Sequence, residues 1–110
     1  MDDLLHVTSA DAWDAAGTTG EYAIPPQPDG SPAPFIHLCR PEQLAGVVAR
    51  FYPPPHDHLV VLTVRPAGLP IVDEPAPDAD GLFPHLYGPL PVSAVVAVRA
   101  LAGALHDPAG

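Results

Sequence analysis

The chain has 110 residues, an apolar fraction of 47% and a formal net charge of −9 at pH 7. That length fits a single domain, and that apolar fraction argues against intrinsic disorder. Because affinity for nucleic acid depends on Lys and Arg contacts with phosphate, four Arg and no Lys predict no nucleic-acid partner and no binding to anionic membrane surfaces.

The first residues predict a cytoplasmic protein. Met1 to Asp3 are acidic where a secretory signal would be basic. No window of the sequence approaches the roughly 18 uninterrupted apolar residues of a membrane span, so we expect a soluble domain without a membrane segment.

A short strand and a helix are predicted next. Residues 4–8 predict the strand. Thr8 and Ser9 then offer a helix start, and Thr8 stands three residues before Asp11, which is the capping-box pattern. Gly17 would end this helix. Trp13 lies on the apolar face of the helix, where packing in the core is its expected role.

The middle of the chain predicts two strands, a helix and a third strand. Residues 21–24 predict a short strand, and 25–34 form a loop rich in Pro and Gly. Residues 35–39 predict a strand, and 41–51 an amphipathic helix that a triple proline ends. The continuous apolar run 59–64 is typical of a strand buried on both faces.

The last part predicts an acidic, proline-rich loop over residues 73–81 and a final strand over 94–101. Residues 102–110 resemble a frayed tail. We therefore expect one domain over residues 1–110 with its core in 4–101, in the α+β class.

Two predicted strands each carry a histidine on one face. Because side chains alternate along a strand, His6 shares a face with Thr8, and His37 shares a face with Cys39. A single His on an apolar strand is more often a hydrogen-bonded structural residue than a catalyst. Several such residues in one small domain favour a shared site.

A third histidine lies between prolines. His85 and Tyr87 point the same way if their segment is extended. The other three histidines carry less weight, because His56 and His58 follow the triple proline and are expected to be solvated, and His106 lies in the tail. The sequence thus predicts a site built on His6, His37 and His85.

The sequence predicts no metal at this site. The single Cys39 excludes an internal disulfide and a cysteine-based zinc framework. No acidic residue adjoins the three histidines, and Glu74 could join them only by folding over from the acidic loop. Trp13, Tyr22 and Tyr87 could instead stack on a planar ligand ring.

The chain resembles the domain-of-unknown-function 952 family. The matching segments are residues 5–8, 12–13, 35–38, 42–44 and 83–91, of which the last, FPHLYGPLP, is the most specific. That family looks like a compact relative of the ADP-ribosyltransferase fold. The resemblance implies a split, mostly antiparallel β core with two helices against it.

The same resemblance implies roles for individual residues. His6 would contact the nicotinamide-side ribose of NAD, with Thr8 beside it, and His37 matches the second motif position. The third position, which is acidic in toxin-like members of the superfamily, has no convincing match. His85 or Tyr87 would have to serve there.

Two departures from the family pattern affect these roles. The scarcity of basic residues makes RNA an unlikely substrate. Family members usually have Ser or Thr where this chain has Cys39 and Arg40, which weakens the cap of the next helix by about 1 kcal/mol unless another group replaces it. Arg40 is either solvated or a partner for an anionic ligand.

The leading hypothesis is an enzyme-like pocket that binds NAD or another small ligand between the three histidines, with group transfer through an oxocarbenium-like centre. The alternatives are a non-catalytic accessory protein that binds a metabolite or partner, and a histidine acid–base enzyme that acts on a small molecule unrelated to NAD. The oligomeric state stays open. The predicted ligand-binding residues are Thr8, Trp13, Tyr22, Cys39, Arg40 and Tyr87.

Overall fold

The computed structural model describes residues 2–23, 30–31, 33–75 and 81–105, and it has an α+β architecture whose described strand pairings are all antiparallel. In chain order its elements are β1 (Leu4–Ser9), α1 (Ala10–Thr19), β2 (Glu21–Tyr22), β3 (Ile36–His37), α2 (Leu44–Phe51), β4 (Leu59–Val64), β5 (Ile71–Pro75), β6 (Leu82–Leu86), β7 (Leu90–Pro91), β8 (Val95–Ala100) and α3 (Leu101–Leu105). Within these residues no helix is long and apolar enough to cross a bilayer.

The antiparallel β core is split between β1 and β3. One half has the strand order β1-β4-β8 and the other has β3-β6-β5, while β2 and β7 form a separate pair. Within the described residues one bridge joins the two halves: the Leu5 N–H donates to the Cys39 carbonyl at 2.7 Å, and the Cys39 N–H donates to the Leu5 carbonyl at 2.8 Å. His6 follows Leu5 directly, next to this bridge.

The core lies on both faces of the sheet, as strand alternation requires. Leu5 and Cys39 pack on one face with α2 and α3, and Leu4 packs on the other face with α1. Strand β4 contributes Val61 to the first face and Leu62 to the second. The prediction of a strand buried on both faces at residues 59–64 is confirmed.

Helix α1 begins after the second of the two residues that the sequence offers as its start, and it ends three residues later than predicted. The Ser9 hydroxyl accepts the Ala12 N–H at 3.1 Å, so Ser9 and not Thr8 is the N-cap. Gly17 lies inside the helix, because one glycine weakens a helix without ending it. The helix ends at Gly20, whose φ of 88° is the left-handed conformation that glycine favours.

Among the described residues no side chain accepts an N–H of the first turn of the second helix, as the sequence predicted from Cys39 and Arg40. Gln43 Oε1 accepts the Arg40 N–H at 2.8 Å, at the start of a 3-10 turn over Pro41–Gln43 that leads into α2. A side chain that reaches back to the N-cap amide is one half of a capping box. The other half, a Ser or Thr hydroxyl at the N-cap, is absent at Arg40.

The prediction of a loop over residues 73–81 is wrong for its first three residues. They belong to β5, which pairs with β6 in the register Asp73↔Pro84 and Glu74↔Phe83. Backbone pairing with β6 outweighs the low strand propensity of Asp, Glu and Pro. Residues 76–80 lie outside the described part of the chain.

The C-terminal region contains a third helix where we expected a tail from Ala102. Leu101 and Ala104 of α3 are buried in the core, and their burial explains why this segment is ordered. The predicted last strand ends one residue earlier, at Ala100. Residues 106–110, and most of the predicted loop over 25–34, lie outside the described residues.

Candidate functional site

Two of the three predicted histidines are direct neighbours. The register of β3 against β6 pairs His37 with His85, so both side chains lie on one face of the sheet. Their ring centroids are 5.4 Å apart, with the planes at 84°. The His85 side chain is buried and that of His37 is exposed.

The carboxylate of Glu74 holds His85 from the neighbouring strand β5. Glu74 Oε1 accepts a hydrogen bond from His85 Nδ1 at 2.9 Å and a second one from the Tyr87 hydroxyl. These two bonds, that from Tyr87 first, lower the pKa of Glu74, so the group is ionised at neutral pH. Because a carboxylate can only accept, the proton of the imidazole lies on Nδ1.

The second ring nitrogen of His85 is the unusual feature. Nε2 is buried and has no hydrogen-bond partner among the residues that the structure describes. With the proton on Nδ1, this nitrogen carries a lone pair that can accept a proton. Unpaired buried polar atoms are rare in folded proteins, because each one costs free energy.

An aromatic side chain completes the group. Phe35 stacks on His85 with centroids 3.9 Å apart and planes at 15°. The Phe35 ring also contacts the rings of His37 and Tyr87, with centroid distances of 4.7 Å and 5.4 Å. We name Phe35, His37, Glu74, His85 and Tyr87 the His85 cluster.

His6 is buried and both of its ring nitrogens have partners in the protein. Nδ1 donates to the His37 carbonyl at 2.6 Å, and Nε2 lies 3.1 Å from the Tyr22 hydroxyl. Burial lowers the pKa of His6 to about 4, so the ring is neutral at pH 7 and Nε2 accepts from Tyr22. The Thr8 hydroxyl then donates to the Tyr22 oxygen at 2.8 Å.

The three histidines thus do not have one common environment. By strand alternation His6 shares the face of Leu4, whereas His37 shares the face of Cys39. His6 contacts the backbone of His37 from the other face. The structure brings His37 and His85 together and places His6 behind them, linked through one carbonyl group.

Three other predicted ligand-binding residues lie outside the His85 cluster. Trp13 is half-buried and packs against the core on the α1 face. Cys39 is buried, and desolvation raises the pKa of its thiol to about 12, so it is no thiolate at neutral pH. Arg40 Nη2 donates to both carboxylate oxygens of Asp73 at 2.9 Å.

Sequence reasoning did not include Phe35 among the site residues, and it allowed Glu74 only as a side chain folding over from a loop. Alternation along the third strand already places Phe35 on the face of His37, and this signal could have identified it. No comparable signal exists for Glu74, because prolines and acidic residues around it favour a loop. Only the pairing of β5 with β6 brings its carboxylate to His85.

A cavity of about 390 Å³ lies elsewhere, beside Arg40 and Asp73, and none of the three histidines lines it. Among the described residues no group of three or more His, Cys, Asp or Glu side chains is arranged to hold a metal ion.

The chain belongs to the family described as protein of unknown function DUF952, whose model matches residues 7–98. The crystal structure of protein CC0527 from Caulobacter crescentus is similar, with a TM-score of 0.72 and 30% identity over 88% of this chain and 83% of that one. The solution NMR structure of CC0527 gives a TM-score of 0.71 and 30% identity over 91% and 84%. No curated protein matches the chain.

Proposed function

We propose that the His85 cluster performs acid–base chemistry on a small molecule. The observation that carries this proposal is the arrangement of His85: Glu74 fixes the proton on Nδ1, and Nε2 is buried without a partner in the described structure. A histidine that a carboxylate orients in this way is a common form of general base.

The proposed proton transfer uses three residues of the cluster: His85, Glu74 and His37. His85 Nε2 accepts a proton from the ligand and becomes an imidazolium, while Nδ1–H stays hydrogen-bonded to Glu74, whose negative charge stabilises it. Partial desolvation, and then the charge on protonated His85, lower the pKa of His37, so this second ring is neutral at pH 7. Neutral His37 can donate one hydrogen bond to the ligand, and the proton returns to the ligand from Nε2–H of protonated His85.

The test is an NMR titration of the imidazole signals of full-length protein with NAD, ADP-ribose and a panel of neutral, cationic and anionic metabolites. If the cluster binds a small molecule, at least one compound should shift the signals of His37 and His85 saturably, and the shift at His85 should be lost in His37→Gln. The exposed His58 offers a matched control, since His58→Gln should leave them unchanged. If no compound shifts His37 or His85 in folded protein, the proposal is wrong.

A second candidate is binding of NAD in the manner of ADP-ribosyltransferases, with His6 beside the ribose. The split of the sheet next to His6 favours it, since in the described part of the chain one bridge, Leu5 with Cys39, joins the two halves. A ribose hydroxyl would have to replace the Tyr22 hydroxyl at Nε2. Calorimetric titration with NAD and ADP-ribose tests this candidate, and absence of heat with both ligands excludes it.

Whether the bound molecule is also converted separates an enzyme from an accessory binding protein. If the protein is an enzyme, a compound that binds in the titration should be consumed. His85→Gln should then slow its conversion by about 100-fold or more, as loss of a general base does. Saturable binding without conversion would favour the non-catalytic alternative.

A further inference from the structure

The His85 cluster contains a carboxylate and no basic side chain of Lys or Arg. Glu74 gives one oxygen to His85 and Tyr87, and its side chain is 34% exposed, so its negative charge reaches solvent. Strands β3, β5 and β6 contain no Arg, and the nearby Arg40 donates to both oxygens of Asp73. An anionic ligand would therefore meet a like charge without a basic partner on these strands.

The same cluster contains two aromatic rings beside that carboxylate. The rings of Phe35 and Tyr87 are 5.4 Å apart and inclined at 53°, and Tyr87 is 41% exposed. The face of an aromatic ring has a negative potential that attracts organic cations, and a nearby carboxylate adds to this attraction. The net charge of −9 adds a long-range field of the same sign.

We infer that the ligand of the His85 cluster is a small organic cation, such as a quaternary ammonium or a planar aromatic cation. This inference rests on the proposed function and names the class of molecule that the site accepts. The cationic group would lie against Tyr87 and Phe35 near Glu74, with the reacting part of the molecule toward His85 and His37. A phosphorylated substrate would lack basic partners here.

The experiment compares three probes in an NMR titration of wild-type imidazole signals: choline, its neutral carbon isostere dimethylbutanol, and acetate. Choline is expected to shift His37 and His85 saturably, with an affinity at least about fivefold above that of dimethylbutanol. Glu74→Gln should weaken choline binding by about fivefold, because it removes the charge and keeps the shape. Glu42→Gln, an exposed carboxylate outside the cluster, is the control and should change nothing.

A second variant tests the aromatic contribution. Tyr87→Leu removes the ring together with the hydroxyl bond to Glu74, and Tyr87→Phe removes that bond alone. Tyr87→Leu should therefore weaken choline binding by about threefold relative to Tyr87→Phe. If dimethylbutanol or acetate binds at His37 and His85 as tightly as choline, the cation inference is wrong while the proposed function stands. If none of the three probes shifts these histidines, the cation inference is wrong as well. The proposed function is wrong only if no compound of the whole metabolite panel shifts the signals of His37 or His85.

Discussion

At the scale of single residues, the central feature is His85, whose Nδ1 donates to the Glu74 carboxylate and whose Nε2 has no hydrogen-bond partner among the described residues. Glu74 and His85 come from neighbouring strands, and their bond fixes which nitrogen of His85 holds the proton. His6 differs from His85, because both of its ring nitrogens are hydrogen-bonded within the protein. Among the described residues His85 thus keeps one ring nitrogen without a partner, whereas both ring nitrogens of His6 are used within the protein.

Removing the carboxylate should change the protonated nitrogen of His85. In Glu74→Ala no acceptor that the structure describes holds the proton on Nδ1, so we expect the neutral ring to move toward the Nε2–H form. Long-range correlation of the ring protons with the two nitrogens measures this directly. Glu42→Ala should retain the wild-type pattern, and an identical pattern in both variants would contradict the assigned hydrogen bond.

Burial of His6 predicts a specific loss of stability in acid. Its pKa is about 4 in the folded protein and 6.5 in the unfolded chain, so the unfolded state binds more protons between these values. The free energy of unfolding should therefore fall by about 3 kcal/mol from this residue alone as the pH drops from 6.5 to 4.

Urea denaturation at several pH values, comparing wild type with His6→Gln, isolates this contribution. The variant lacks the titrating ring, so the difference in unfolding free energy between the two proteins should shrink as the pH falls through that window. His58→Gln should follow the wild-type curve. A difference that stays constant with pH would show that His6 titrates alike in both states.

At the scale of elements, the sequence predicted the strands and helices that have a clear apolar pattern of their own. The apolar run of β4 and the stripe of α2 are of this kind. Strand β5 could not be predicted, because its composition favours a loop and only pairing with β6 makes it a strand. The short α3 depends in the same way on burial of Leu101 against distant residues.

The N-cap of α1 provides a test at this scale. Ser9→Ala removes the acceptor of the Ala12 N–H and should lower the free energy of unfolding by about 1 kcal/mol. Ser93→Ala, at an exposed position outside the long helices, should have little effect. Chemical denaturation gives both values. If Ser9→Ala is neutral as well, the helix is capped by another group, such as the Thr8 hydroxyl of the original prediction.

At the scale of the whole molecule, topology decides which histidines meet. The sequence identified His6, His37 and His85 as candidates, and alternation correctly gave the neighbours of each on its own strand. It could not give the register of β3 against β6, which pairs His37 with His85. The sequence also could not show that His6 lies on the opposite face of the sheet from His37 and His85. The register and the relative placement of the histidines both depend on contacts between strands that are far apart in the sequence.

The central claim is that His37 and His85 act as one coupled pair, and the titration of His37 tests it most directly. We predict that His37 titrates below 6.5 in wild-type protein and that His85→Gln moves its pKa part of the way back, because desolvation remains when the neighbouring charge is removed. His58→Gln should leave the titration of His37 unchanged. A His37 that titrates at 6.5 in wild type and is insensitive to His85→Gln would contradict the account.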